Sequence, residues 1–512
     1  MTDGHYDVII IGTGAGGGTL TNRLVRSGKK FLVLERGTFL PKEKANWDSQ
    51  QVFQKGRYRT PEVWYDRDNH PLHPNTHYYV GGNTKVYGGA LFRLREQDFE
   101  TVLHQGGTSP QWGLKYPDFA PYYTQAEQLY GVHGHRGLDP TEPHASEDYP
   151  FTAVPHEPYI QDISYALKDK GLHPFYLPLA IKLDEANPVG GSCIRCGTCD
   201  GFPCFRDAKA DADINAVRPV MGYSNLTLIV EAKVVRLHTS ASGREITQVE
   251  AEIAGKRCLF SADIVVIACG AVNSAALLLN SANDQHPAGL ANRSNLVGRN
   301  LMLHQHAVVM TLTPTLNPTI FQKTLAVHDF YWGQKNFPFP MGSVQLLGNV
   351  TKDRIAPHKP PFVPTSLCDA VAKRSIAWLL TTEDLPAFHN RVRVQGGKIL
   401  LDYTPNNQAA FHRLIQEWIK VLKSIARSKP MQASGFISRK MPLTEVAHQC
   451  GTCRFGEDPQ TSVLDLNCRT HDVDNLYVVD GSFFPSSAAV NPSLTIMANA
   501  LRVGDHLLQR LK

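Results

Sequence analysis

The stretch YDVIIIGTGAGGGTLTNRLVRSGKKFLVLE, residues 6–35, decides the fold. Val8-Ile9-Ile10-Ile11 is a short apolar run that reads as a strand buried on both faces. Gly12-Thr13-Gly14-Ala15-Gly16-Gly17 follows directly, and then a helical segment with Leu20 and Leu24 on one face. A second apolar run, Phe31-Leu32-Val33-Leu34, ends in the acid Glu35. The order is strand, glycine turn, helix, strand, acid. In such a unit Gly12 permits the tight turn, Gly14 lets a pyrophosphate approach the backbone, and Gly17 lets helix and strand pack closely. The helix N-terminus offers unpaired N–H groups and a partial positive charge to phosphate. Glu35 stands where an acid reaches a ribose hydroxyl, which favours a free ribose over a 2′-phosphate. The unit therefore predicts dinucleotide binding and reads equally as FAD or NAD.

At 512 residues the chain is long enough for a large core and two domains in space. Its 42% hydrophobic and 19% charged content is that of an ordinary globular protein, and the net charge of +5 is modest. No block of Lys and Arg suggests nucleic acid or an anionic membrane, and no apolar run approaches the roughly 18 residues of a membrane span. The chain enters its first strand without a charged and apolar leader, so a cytoplasmic location with reduced thiols is the expectation. Ten cysteines then call for something other than a disulfide framework.

Residues 36–75 are polar and aromatic with little periodicity, and read as surface loops or as an excursion covering the ligand. Gly81-Gly82-Asn83-Thr84 and Gly88-Gly89 follow, where small side chains let backbone approach a flat or anionic ligand, or simply make a tight turn between packed elements. Residues 112–130 and 162–170 read as helices. Between positions 190 and 210 lies the densest cysteine cluster, Cys193, Cys196, Cys199 and Cys204, spaced C-x2-C-x2-C-x4-C. That spacing is close to runs that hold iron–sulfur clusters, would also serve zinc, and is open to packed free thiols. Residues 226–237 and 246–254 read as a strand pair, and residues 263–270 as a buried strand ending in Gly270, with a helix after it. A second strand–glycine–helix junction implies another strand of the same parallel sheet. Residues 301–400 turn β-rich and Pro-rich, which suggests a largely antiparallel second domain. Phe411, Leu414, Ile415, Trp418, Leu422 and Ile425 form a stripe at helical spacing, read as core. The last segment carries His448, a buried strand at 476–479 ending in Asp480-Gly481, then Asn491-Pro492 and a helix from Thr495. Cys450, Cys453 and Cys468 read as small core residues. The fold class is therefore α/β: a Rossmann-like dinucleotide-binding domain over 1–300, a second α+β domain over 301–444, and a return to the first over 445–512.

Together these motifs resemble the glucose–methanol–choline (GMC) family of FAD-dependent oxidoreductases, from Asp7 to Asp505. Gly12, Gly14, Gly17 and Glu35 match the family's ADP-binding motif, with Arg36 beside the acid. Gly81, Gly82, Asn83 and Thr84 onward to Arg93 look like its first signature, and Gly270 with residues 271–279 like half of its second. Residues 297–301 followed by His304 also look like a family segment. His448 with Gly451-Thr452 matches the HxxGT position, and Asn491 stands where its partner is expected. The resemblance implies an FAD enzyme that oxidises CH–OH groups of a sugar, polyol or other alcohol, with a protein, a quinone or oxygen as electron acceptor. It implies Asp480 and Gly481 at the phosphate and ribityl region, the Val234 backbone at the adenine, and Asn491, Pro492 and Thr495 among the residues that bind the cofactor. Removing a hydroxyl proton as the C–H bond breaks suits a neutral imidazole, so His448 is read as the base. Asn491 can hold the same oxygen but cannot take its proton. Tyr87 departs from the Asn usual in the first signature, and residues 281–284 break the ending of the second. Relatives that bind FAD covalently use a His where this chain has Val86, so FAD is expected to be non-covalent. The cysteine loop resembles one that carries an iron–sulfur cluster in the sugar dehydrogenase branch. Other outcomes on the same fold are a lipophilic-alcohol oxidase and a flavin-dependent lyase. An NAD dehydrogenase would leave the segments 81–93 and 448–491 without a role. An iron–sulfur or zinc-binding protein with a vestigial dinucleotide fold is the reading from a different class.

Overall fold

The fold is described from a computed structural model covering residues 4–184, 192–426, 433–445 and 447–512. The first residues of the cysteine loop, 190 and 191, lie outside that description, as do 427–432 of the predicted second domain. No helix among the described residues is long and apolar enough to cross a membrane.

The strand His5–Ile11 sits in the middle of a parallel sheet, with Phe31–Leu34 on one side and Lys256–Ile267 on the other. Leu226–Ile229 extends the sheet beyond Phe31–Leu34, and Leu476–Val478 pairs parallel with Lys256–Ile267. Central position explains the unbroken apolar runs: Val8, Ile9 and Ile10 have no exposed surface because both faces of a parallel sheet are covered. The helix Ala15–Leu24 packs on one face, and the C-terminal helix Ser493–Arg510 packs against it in turn. Lys256–Ile267 does double duty. Its first half pairs antiparallel with Ile246–Ile253, which in turn pairs with Ala232–Thr239. The expected single strand over 226–237 is thus two strands, one in the parallel sheet and one in this antiparallel extension.

The second sheet is antiparallel throughout: Gly435–Lys440, Gln305–Leu312, Ser375–Thr382, Ser343–Leu346, Leu325–Val327 and Phe175–Tyr176 in spatial order. Side chains alternate across it. Ala307, Val309, Val344 and Leu346 face the helix Gln408–Ile425, where Trp418 meets Trp378 with ring centres 4.8 Å apart. His306, Val308 and Met310 point the opposite way, toward the parallel sheet. The stripe predicted over 411–425 is this helix's buried face. Phe175–Tyr176 comes from before position 301, so the second sheet recruits chain from outside 301–444. A further link is made by Trp64–Asp66, which pairs with Lys398–Asp402. The polar stretch after Glu35 is therefore an excursion that joins the two halves of the molecule.

Candidate active site

Between the two sheets lies a cavity of about 1110 Å³, beyond the roughly 300–1,000 Å³ of an ordinary small-ligand site. One end is the glycine turn. Gly12 has a φ of +98°, and a side chain there would press on the Ala268 carbonyl. At Gly17 a Cβ would collide with the Gly12 carbonyl, so helix and strand can pack only on a glycine. Gly14 is the opposite case: a Cβ there would have nothing within 4 Å, because it faces the cavity. No side chain caps the helix that starts here and no acid lies in its first turn, which leaves its N–H groups to a ligand.

Glu35 lines this end, buried and held by three donors. Its Oε2 accepts from the Thr13 N–H (3.0 Å) and hydroxyl (2.6 Å), and its Oε1 from the Gly37 N–H (2.9 Å). Burial pushes the carboxyl above its ordinary value, and the donors pull against that. Arg36 and Val234 line the same end. The Gly81 N–H donates to the Thr13 hydroxyl (3.1 Å) and stitches the second glycine loop onto the first, while Asn83 Oδ1 accepts from the His77 N–H (2.9 Å) within its own loop. Asp480 ties the ends of two parallel strands together: it accepts from the Gly270 N–H (2.9 Å) and the Ser274 hydroxyl on one oxygen, and from the Ser482 N–H (2.9 Å) and hydroxyl on the other. Gly82, Asn83, Thr84, Gly270, Gly481 and Pro492 are on the wall. Gly17, Gly81 and Thr495 stand behind it. Thr495 in particular spends its hydroxyl on Tyr123 (2.8 Å), in the packing of the C-terminal helix against Tyr116–Tyr130. Tyr87, the departure from the first signature, donates its hydroxyl to the Ala210 carbonyl.

His448 and Asn491 line the other end, below the antiparallel sheet. Burial pushes His448 well below the usual histidine range, and the neighbouring His306 and His304 rings and Lys323 add to that. Its Nδ1 lies 3.0 Å from His304 Nδ1, and its Nε2 has no protein partner among the described residues. The rings of His304 and His306 stand nearly perpendicular to it, with centroids 5.1 and 4.9 Å away. The three imidazoles each offer a nitrogen within 4.8 Å of the others. Both nitrogens of His304 are nonetheless taken, one by His448 and one by the Ser487 carbonyl (3.0 Å). Asn491 is oriented by Gln345, whose Nε2 donates to Asn491 Oδ1 (2.9 Å) and so leaves the Asn491 amide N–H groups for a ligand.

Lys323 is buried on the same wall and paired with Asp200. Burial alone would raise the Asp200 carboxyl, but the Lys323 ammonium and the Gly348 N–H (2.6 Å) hold it below its ordinary value. Asp200 lies inside the cysteine loop, so that loop is anchored at the cavity. All ten cysteines are free thiols. No three of the Cys193, Cys196, Cys199 and Cys204 sulfurs lie within 4.8 Å of one another, which does not fit a tetrahedral zinc ion. Burial pushes the Cys193 and Cys199 thiols up to about 11 and about 12. Cys450, Cys453 and Cys468 are fully buried core residues. His306, Gln345, Lys323 and Asp200 carry no motif. Alternation along 305–312 places His306 on the face of Val308 and Met310, but nothing in sequence says which face meets the cavity.

A glycine-turn parallel sheet, a facing antiparallel sheet and a His–Asn pair in the cavity between them define a dinucleotide-dependent oxidoreductase. Two family models described as GMC oxidoreductase match residues 180–306 and 397–500. The chain is 31% identical to 6'''-hydroxyparomomycin C oxidase of Streptomyces lividus, covering 99% of this chain and 92% of that protein. It is 30% identical to paromamine 6'-oxidase of Streptomyces fradiae, over 98% and 91%. Among solved structures, pyridoxine 4-oxidase from Mesorbium loti superposes with a TM-score of 0.70 at 19% identity, over 98% and 99% of the two chains. The chain belongs to the GMC oxidoreductase family and is an FAD-dependent enzyme acting on CH–OH groups. The site fits that cofactor: the open face of Gly14, the uncapped helix and the buried Glu35 suit a pyrophosphate and a ribose.

Proposed function

We propose that the enzyme oxidises a CH–OH group of a sugar, polyol or related alcohol, with His448 as the base and Asn491 as the group that holds the alcohol oxygen. The observation that carries this reading is that His448, its Nδ1 engaged by His304 and its Nε2 without a protein partner among the described residues, lines the same cavity as the dinucleotide cradle. FAD, when bound, supplies the acceptor for the hydride at N5. His448 takes the hydroxyl proton as the C–H bond breaks, and needs no prior deprotonation because burial keeps it neutral. The Asn491 amide donates to the same oxygen and fixes the carbon's position, with Gln345 holding the amide in place. Val86 offers no nucleophile to the flavin, which supports non-covalent binding. The relatives named for aminoglycosides support a sugar-like donor. Val308, Met310, Leu347 and Leu379 line the wall as an apolar patch and favour a second reading, a lipophilic alcohol.

The test is anaerobic mixing of the purified yellow protein with paromamine, fructose, a linear polyol and a long-chain alcohol. Bleaching of the flavin by one of the first three is expected; bleaching by the long-chain alcohol alone favours the second reading, and no bleaching by any sinks both. We further propose that Cys193, Cys196, Cys199 and Cys204 hold an iron–sulfur cluster that passes electrons to a protein or quinone acceptor. Support comes from the four free thiols in one loop and from the anchoring of that loop at the cavity through Asp200. Iron and acid-labile sulfide in stoichiometric amounts are expected; iron-free protein with full activity contradicts the cluster, makes the loop structural and leaves oxygen in play as acceptor.

A further inference from the structure

The Ser487 carbonyl, His304 and His448 form one line that ends at the cavity. A carbonyl only accepts, so His304 Nε2, 3.0 Å away, carries its proton. Burial keeps His304 neutral, which leaves a lone pair on its Nδ1. That lone pair faces His448 Nδ1 at 3.0 Å, and two lone pairs do not face each other at hydrogen-bond distance. His448 Nδ1 therefore donates. A neutral imidazole has one N–H, so the accepting nitrogen of His448 is Nε2.

We propose that His304 is a positioning residue for the reaction: it fixes the tautomer and ring orientation of His448 so that the Nε2 lone pair is presented to the alcohol. The proposal rests on the reading of His448 as the base. The fold holds His304 at some expense. Its φ is +61°, a left-handed conformation unusual for a side chain of this size, and it is 2% exposed. Asp384 holds both of its neighbours: one oxygen accepts from the Leu303 backbone N–H (2.9 Å) and the other from the Gln305 side-chain amide (3.2 Å). His306 packs against the His448 ring with its own Nδ1 engaged by the Thr381 hydroxyl (3.1 Å), and among the described residues no hydrogen bond joins it to His448. A carboxylate in the place of His304 would orient the ring equally well but would also favour its protonated form. A neutral imidazole orients without that effect.

The test compares His304→Ala and His304→Asn with wild type, all FAD-loaded. Asn tolerates the left-handed backbone and brings an amide oxygen near the position of Nδ1. The limiting rate of flavin reduction, with the donor that bleaches wild type best, is expected to fall roughly 10–100-fold in His304→Ala, with an unchanged half-saturation concentration and flavin spectrum. His304→Asn is expected to recover most of the rate. Nitrogen-15 spectra of histidine-labelled holoenzyme, with the His448 signal assigned from its loss in His448→Ala, need no donor. They should show His448 protonated on Nδ1 and bare on Nε2 in wild type, and a mixture of tautomers in His304→Ala. A wild-type His448 protonated on Nε2, or a His304→Ala enzyme with wild-type rate beside an impaired His448→Ala, overturns the proposal. An unimpaired His448→Ala instead removes the base reading beneath it.

Discussion

At the scale of single residues, the proposed base His448 owes its availability to burial. A group pulled well below the usual histidine range stays unprotonated through neutrality, so protonation removes it only in acid. The rate of flavin reduction is accordingly expected to be flat across pH 6.5 to 8 and to fall only well below 6.5. A half-maximal point near 6.5 or above would mean that His448 is more hydrated than its surroundings allow. Gln345 gives a second residue-scale prediction. Gln345→Ala removes one hydrogen bond that orients Asn491 and should lower turnover by about 3–10-fold, measured at saturating donor with flavin content unchanged. Neither Gln345 nor Lys323 was legible in the sequence, because each acquires its role from a partner more than a hundred positions away. That His448 and Asn491 line one cavity follows the family's spacing, which periodicity alone would not have supplied.

At the scale of elements, the glycine turn separates packing from binding. Gly17→Ala forces a methyl onto the Gly12 carbonyl and is expected to lower stability by roughly 1–3 kcal/mol, read as a fall in the apoprotein's melting temperature. Gly14→Ala has open space for its methyl, so it should leave the apoprotein stable and weaken FAD binding instead. If the two variants behaved alike, the division of roles would be wrong. This element was readable in advance because strand, turn, helix and acid are contiguous and the physics is local. The alternation over 226–237 suggests one strand where the fold has two, for the opposite reason. Its first four residues belong to the parallel sheet through a pairing with Phe31–Leu34, a contact that no local pattern encodes. The excursion after Glu35 shows no local period for the same cause, since Trp64–Asp66 takes its strand form by pairing with Lys398–Asp402 and with Pro71–Leu72.

At the scale of the whole molecule, the two sheets and their cavity were foreseeable as a class, but the interleaving of chain between them was not. Buried acids also leave a mark on overall stability. Burial, with a push from Glu383, raises Asp98 to about 7 from an ordinary value of 3.8. The folded protein then holds a proton that the unfolded chain releases between those values. Its contribution to stability is full below about pH 4, declines as pH rises toward 7, and levels off above. Asp98→Asn keeps an acceptor for Tyr331 and the Arg95 N–H and has no charge to form, so the decline of melting temperature between pH 4 and 7 should flatten in that variant.

As the proposed base, His448 removes the alcohol proton in an FAD site that does not otherwise depend on it. Stopped-flow reduction of the flavin in His448→Ala, under anaerobic conditions with the best donor of wild type, separates proton removal from cofactor binding. The variant is expected to retain FAD and its spectrum but to be reduced at least ~10²-fold more slowly. Reduction at the wild-type rate would contradict that role.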